Sequence, residues 1–78
     1  MIKKGYYVTL APVNLKITII DGLYYLDNDI DHNTVFSSIH IKRKGINRII
    51  LGFKLLNELI SNSRELTEDE VMIVEILV

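Results

Sequence analysis

The stretch INRIILGFKLLNELI, residues 46–60, decides the fold. Set at 100° per residue, Ile46, Ile49, Ile50, Phe53, Leu56 and Ile60 fall on one face, the spacing of a helix laid on a core. Leu51 and Leu55 stack four residues apart on the roughly opposite side, a second apolar stripe. A helix with two such stripes packs on two things, so the second is a candidate interface with the C-terminus or with another copy of the chain. Gly52 is the weak point, since glycine inside a helix costs about 1 kcal/mol relative to alanine. A rival reading makes residues 46–51 a strand, hairpinned through Arg43-Lys44-Gly45 to the strand before it, with the helix starting after Gly52. The long helix is the expectation taken forward.

Everything upstream reads as strand and turn. Residues 6–11 alternate, Tyr6, Val8 and Leu10 against Tyr7, Thr9 and Ala11, and Pro12 ends the run. Residues 15–20 alternate again, with Leu15, Ile17 and Ile19 on one side. Asp21-Gly22 then predicts a type I′ hairpin, because both turn positions need positive φ. Its register sets Ile20 against Leu23, Ile19 against Tyr24, Ile17 against Leu26 and Lys16 against Asp27, pairs that suit cross-strand packing. Residues 27–33 are a polar loop. Residues 34–42 form a further strand, with Val35, Ser37, Ile39 and Ile41 inward and Phe36, Ser38, His40 and Lys42 outward.

Downstream, Thr67-Glu68-Asp69-Glu70 has the capping-box pattern and predicts a helix from about Glu68 to Leu77. The alternative is a strand through the apolar run VMIVEILV. A terminus this apolar must be covered, by the fold or by a partner.

Seventy-eight residues make one domain, 1–78, too short to bury a large share of its surface unaided. With no cysteine, disulfides and thiolate zinc sites are excluded as aids. Thirteen isoleucines make self-association, as a homodimer, the most natural remaining aid. The net charge of −1 gives no global field for nucleic acid or membrane. Charge is segregated locally, however: five Lys/Arg and no acid lie within residues 40–54, five acids and no base within 65–75. No run approaches the length of a membrane span. The lack of a secretory signal at the start fits the cytoplasm.

No motif specifies a chemistry. Asp27, Asp29 and Asp31 alternate like the start of an EF-hand loop, but His32 stands where glycine is needed and Ser38 where a bidentate glutamate is needed. His32 and His40 are candidates for metal binding or acid–base work with Asp29 or Asp31, without a spacing that demands it. The glycines are isolated, and no serine has its catalytic partners marked. No cofactor, metal site or enzymatic activity is expected.

Two surfaces remain. Lys42, Arg43, Lys44 and Arg48, with Lys54 beyond, cluster at the turn into the helix as a phosphate-binding surface would, and outward rings of Tyr6-Tyr7 and Tyr24-Tyr25 are placed to stack bases. Leu51 and Leu55, with the acids Glu68, Asp69 and Glu70, form the candidate protein interface.

The expected fold is α+β: a small antiparallel sheet of three or four strands, a meander with an Asp-Gly hairpin, packed by one long helix, with a short C-terminal helix or strand. The expected core is Val8, Leu10, Leu15, Ile17, Ile19, Tyr24, Leu26, Val35, Ile39, Ile41, Ile49, Phe53, Leu56, Ile60, Val74 and Leu77. Phe53→Ala is expected to cost about 3–5 kcal/mol, and serine at both 51 and 55 to break association while leaving the monomer folded. The expected function is a non-enzymatic interaction protein that occludes or scaffolds a macromolecular partner, in the manner of small accessory proteins of phages and mobile elements. The alternative is a nucleic-acid-binding regulator using the basic turn 42–48.

Overall fold

Residues 46–60 divide at Gly52 instead of forming one helix. The computed structural model describes residues 1–41 and 48–77; Ile46 and Asn47 lie outside them. Within the described part the elements run β1 Gly5–Thr9, β2 Val13–Asn14, β3 Ile19–Ile20, β4 Leu23–Leu26, β5 Phe36–Ile41, β6 Arg48–Gly52, α1 Phe53–Ser61, β7 Ser63–Glu65 and α2 Glu68–Leu77. The class is α+β, with one five-stranded antiparallel sheet in the order β6-β5-β4-β1-β7, a separate β2-β3 hairpin and two helices.

The expectation of one long helix on three or four strands is therefore corrected. Period two wins over period 3.6 in residues 48–52 because β5 offers a partner. Ile49 lies opposite Ile39 and Leu51 opposite Ser37, while Arg48 and Ile50 take the other face. The strand splits the stripes read on a helix: Ile49 and Ile50, on one helical stripe, take opposite faces, and Leu51, on the other stripe, joins Ile49 on the core face. Gly52, costly inside a helix, closes β6 and is the N-cap of α1, where glycine is tolerated. The Phe53 N–H donates to the Val35 carbonyl at 2.9 Å, which fixes the bend from strand to helix.

The Asp-Gly hairpin is corrected too. Gly22 takes positive φ, +106°, but Asp21 does not, so the turn is not the expected type I′. Ile20 pairs with Val13, and Leu23 pairs with Val8. Both sides of β4 are occupied, by β1 and by β5, so β3 has no place beside it. The expected strand over 15–20 instead reverses within itself: the Leu15 N–H donates to the Thr18 carbonyl at 2.9 Å, with Lys16 at φ +73°. Asp21-Gly22 connects the two sheets, and Thr9 receives it, its Oγ1 accepting from the Gly22 N–H at 2.7 Å.

The core lies on one face of the five-stranded sheet, under α1 and the β2-β3 hairpin. Tyr7, Tyr24, Leu26, Ile39, Ile41 and Leu51 come from the sheet, Leu56 and Leu59 from α1, and Val13, Leu15 and Ile20 from the hairpin. Ile30 joins them from the polar loop, clamped by an isolated bridge to Ile2. Of the expected core, Leu10, Ile17, Ile19, Val35, Phe53 and Leu77 are instead exposed. Leu15 is buried as expected, but Ile17 and Ile19 are exposed and Ile20 buried, because the reversal at Lys16–Thr18 breaks the alternation counted from Leu15.

The C-terminal helix forms as the capping box predicts. The Glu70 N–H donates to Thr67 Oγ1 at 3.2 Å, and the Thr67 N–H to Glu70 Oε1 at 2.9 Å. Yet no residue of α2 is buried.

Candidate functional site

Among the described residues, strand alternation leaves the second face of the sheet without a covering layer apart from α2 at one side. Tyr6, Val8, Leu23, Tyr25, Phe36, Ser38, His40, Arg48, Ile50 and Arg64 belong to it by register. The tyrosine pairs split between faces as expected. Tyr7 and Tyr24 stack in the core with centroids 5.8 Å apart, while Tyr6 and Tyr25 meet edge to face at 4.8 Å on the outer face. Burial pushes the Tyr24 hydroxyl up to about 12. That hydroxyl donates to Ser63 Oγ at 2.9 Å, and Ser63 donates onward to the Leu59 carbonyl at 2.7 Å, tying sheet to helix.

Asp27 organises the polar part of the outer face. Ser38 Oγ donates to its Oδ2 at 2.5 Å, His40 Nδ1 meets its Oδ1 at 2.8 Å, and Arg48 Nε lies 3.8 Å from Oδ2. Burial raises the carboxyl, but the bonds from Ser38 and His40 and the charge of Arg48 outweigh it, so Asp27 ends below the ordinary carboxylate range. The Ser38 proton goes to the carboxylate and not to the imidazole, so this is not a nucleophile–base relay. Its evident work is to neutralise Arg48 in part and to lock β4, β5 and β6 together. The sequence marked His40 and Ser38 as outward-facing and did not connect them to Asp27, whose position opposite them depends on the β4-β5 register.

The three aspartates do not converge. Asp29 accepts from the Lys4 N–H at 2.8 Å, and Asp31 from the Asn33 N–H at 2.8 Å and from Thr34. His32 lies exposed in the following turn, apart from the Asp27–His40 pair. Among the described residues no three metal-type side chains group together.

Of the proposed phosphate-binding residues, Lys42, Arg43 and Lys44 lie outside the described residues. Arg48 opens β6, exposed but leaning on Asp27 and Ser38. Lys54 is exposed in the first turn of α1. Of the proposed interface residues, Leu51 is 1% exposed and belongs to the core, and Leu55 is half-buried against it. These two leucines form no open stripe. Glu68 and Asp69 are exposed at the head of α2, where acids favour the helix dipole. Glu70 is engaged: it closes the capping box and receives both terminal nitrogens of Arg64 at 2.8 Å. The Arg64 bonds first, then the Thr67 N–H, hold its carboxyl down at about 2.

What the structure does leave open is apolar. On α2, Met72, Ile73, Ile76 and Leu77 share one side of the helix and are 57–80% exposed. Val71 and Val74, half-buried, turn the other way, and Val71 and Glu75 wall a groove of about 490 Å³ whose far side carries Tyr6 and Tyr25. Phe36 and Ile50, 64% and 66% exposed, stand together on the outer face at the β6 side of the sheet. Comparison with models of known protein families, with curated proteins and with solved structures gives no match for this chain.

Proposed function

We propose that this chain is a non-enzymatic interaction protein that binds a macromolecular partner, a protein, and works as a homodimer. The observation that carries this reading is α2. Its sequence builds a well-capped helix, and the fold then fully buries no residue of it. An apolar helical face turned outward, with acids at one end, is the form in which a helix is presented to a complementary groove. The binding face is thus Met72, Ile73, Ile76 and Leu77, with Glu68 and Asp69 at its rim, in place of Leu51 and Leu55. Such a protein acts by occluding or bridging its target, and a cytoplasmic setting suits a chain without cysteine.

A second reading keeps nucleic acid as the partner, favoured by Arg48 and the exposed Phe36 on one open sheet face and by the basic residues Lys42, Arg43 and Lys44 close before Arg48 in sequence. Salt separates the two. Phosphate-driven binding falls steeply between about 50 and 200 mM salt, whereas docking through α2 should change little. Measuring partner binding across that range, with parent protein and with an Ile73→Ser/Ile76→Ser variant, tests the proposal. Salt-insensitive binding lost in the variant supports it. Salt-sensitive binding that the variant retains refutes it.

A further inference from the structure

The two edges of the sheet are treated differently. One edge, β7, is three residues long, carries Arg64 and Glu65, and is braced by the Arg64–Glu70 ion pair. This is how proteins blunt an edge against pairing with another chain. The other edge, β6, is five residues long, RIILG, and pairs only with β5 among the described residues. Arg48 is its single charge, and it has no proline.

The sequence of β6 is also self-complementary. Ile49 and Leu51 flank Ile50 symmetrically on the core face, and Arg48 and Gly52 flank it on the outer face. Antiparallel pairing of two copies about Ile50 sets Ile49 opposite Leu51 of the second copy, so core residues meet core residues. It sets Ile50 opposite itself, joining two exposed Phe36–Ile50 patches into one. Arg48 of each copy comes opposite Gly52 of the other, beside which Phe36 stands in register. The guanidinium can then lie on that ring across the space a side chain at 52 would fill. The two arginines are four residues apart along the joint, about 14 Å at strand rise, beyond the screening length.

Gly52 supports this placement. Its φ of −70° is open to any residue, and a Cβ there would meet only the Val35 carbonyl, at 4.0 Å. Capping α1 tolerates glycine without requiring it, since serine, asparagine or aspartate would cap better. Nothing described within one copy demands a glycine, and glycine in a strand often marks close approach of another chain.

From these observations we infer that two copies of this chain join through β6, antiparallel about a two-fold axis at Ile50, into a continuous ten-stranded sheet. This rests on the homodimer reading above and names its surface; α2 stays free for the protein partner.

The test uses position 50, exposed in the single copy. Parent protein is measured by light scattering over a concentration series, alongside Ile50→Lys, Ile50→Glu and their equimolar mixture. The parent should be a dimer. Each charged variant should be monomeric or at least tenfold weaker, because like charges face each other across the axis. The mixture should recover a one-to-one heterodimer. Since the chain has no cysteine, Ile50→Cys serves as a check independent of these charges: mild oxidation should give a covalent dimer, and a cysteine at exposed Asn57 should not. A parent monomeric at all concentrations, charged variants that dimerise like the parent, a mixture that stays monomeric, or equal cross-linking at 50 and 57 would each overturn the inference. None of these outcomes bears on α2, whose binding is read separately through positions 73 and 76.

Discussion

Glu70 shows how much one side chain sets locally. It closes the capping box of α2 and ties that helix to β7 through Arg64. A carboxyl held at about 2, against an ordinary value near 4.5, contributes stability that is complete above the ordinary value and is lost as pH falls through about 2. Glu70→Gln should therefore flatten the decline in melting temperature between pH 5 and pH 2, and salt should weaken the difference because the pair is exposed. An unchanged acid slope would show that the pair contributes nothing. Asp27 acts with the same sign on the outer face, lowered by Ser38, His40 and Arg48 against the effect of its own burial. In the core, Leu59→Ala should cost about 2–5 kcal/mol, since Leu59 is fully buried. Phe53, expected from the sequence to behave likewise, is 37% exposed. Phe53→Ala should cost clearly less than Leu59→Ala in urea titrations, and an equal loss would contradict its placement at the rim.

At the scale of elements, α2 and the 46–60 stretch carry opposite lessons. The capping box was legible because its chemistry is local: Thr67 and Glu70 satisfy each other whatever lies around them. The rival strand reading of 46–51 was also legible, but choosing it required knowing that β5 would lie alongside, which no local signal states. The Asp-Gly turn gave the backbone conformation of Gly22 and not the strand partners, because those were decided by the occupancy of both sides of β4. For the same reason Leu51 was placed on an outer stripe and lies in the core, and the Asp27–Ser38–His40–Arg48 cluster was missed. Two predictions follow from the corrected elements. Leu51→Ser should now reduce stability by several kcal/mol, on the order of 2–5 as for other large core losses, and should not release an intact monomer. Serine at Met72, Ile73 and Ile76 together should leave the urea midpoint nearly unchanged, each exposed substitution lying within about 0.5 kcal/mol. A large loss would mean that α2 is part of the stabilising core.

The molecule as a whole divides its apolar surface between holding itself together and remaining open. One sheet face is closed by α1 and the β2-β3 hairpin. The other keeps Phe36 and Ile50 exposed, and α2 presents a further apolar side. The described helices include none long and apolar enough to cross a membrane. We propose these as the functional surfaces, β6 to join copies and α2 to meet the partner. The most direct measurement is site-specific photocrosslinking in source cells, with the probe at Ile76 and, in parallel, at Asn57 on the exposed side of α1, each with and without nuclease. One protein adduct is expected at position 76, unaffected by nuclease and absent at position 57. Adducts that vanish with nuclease, or that form equally at both positions, would contradict it.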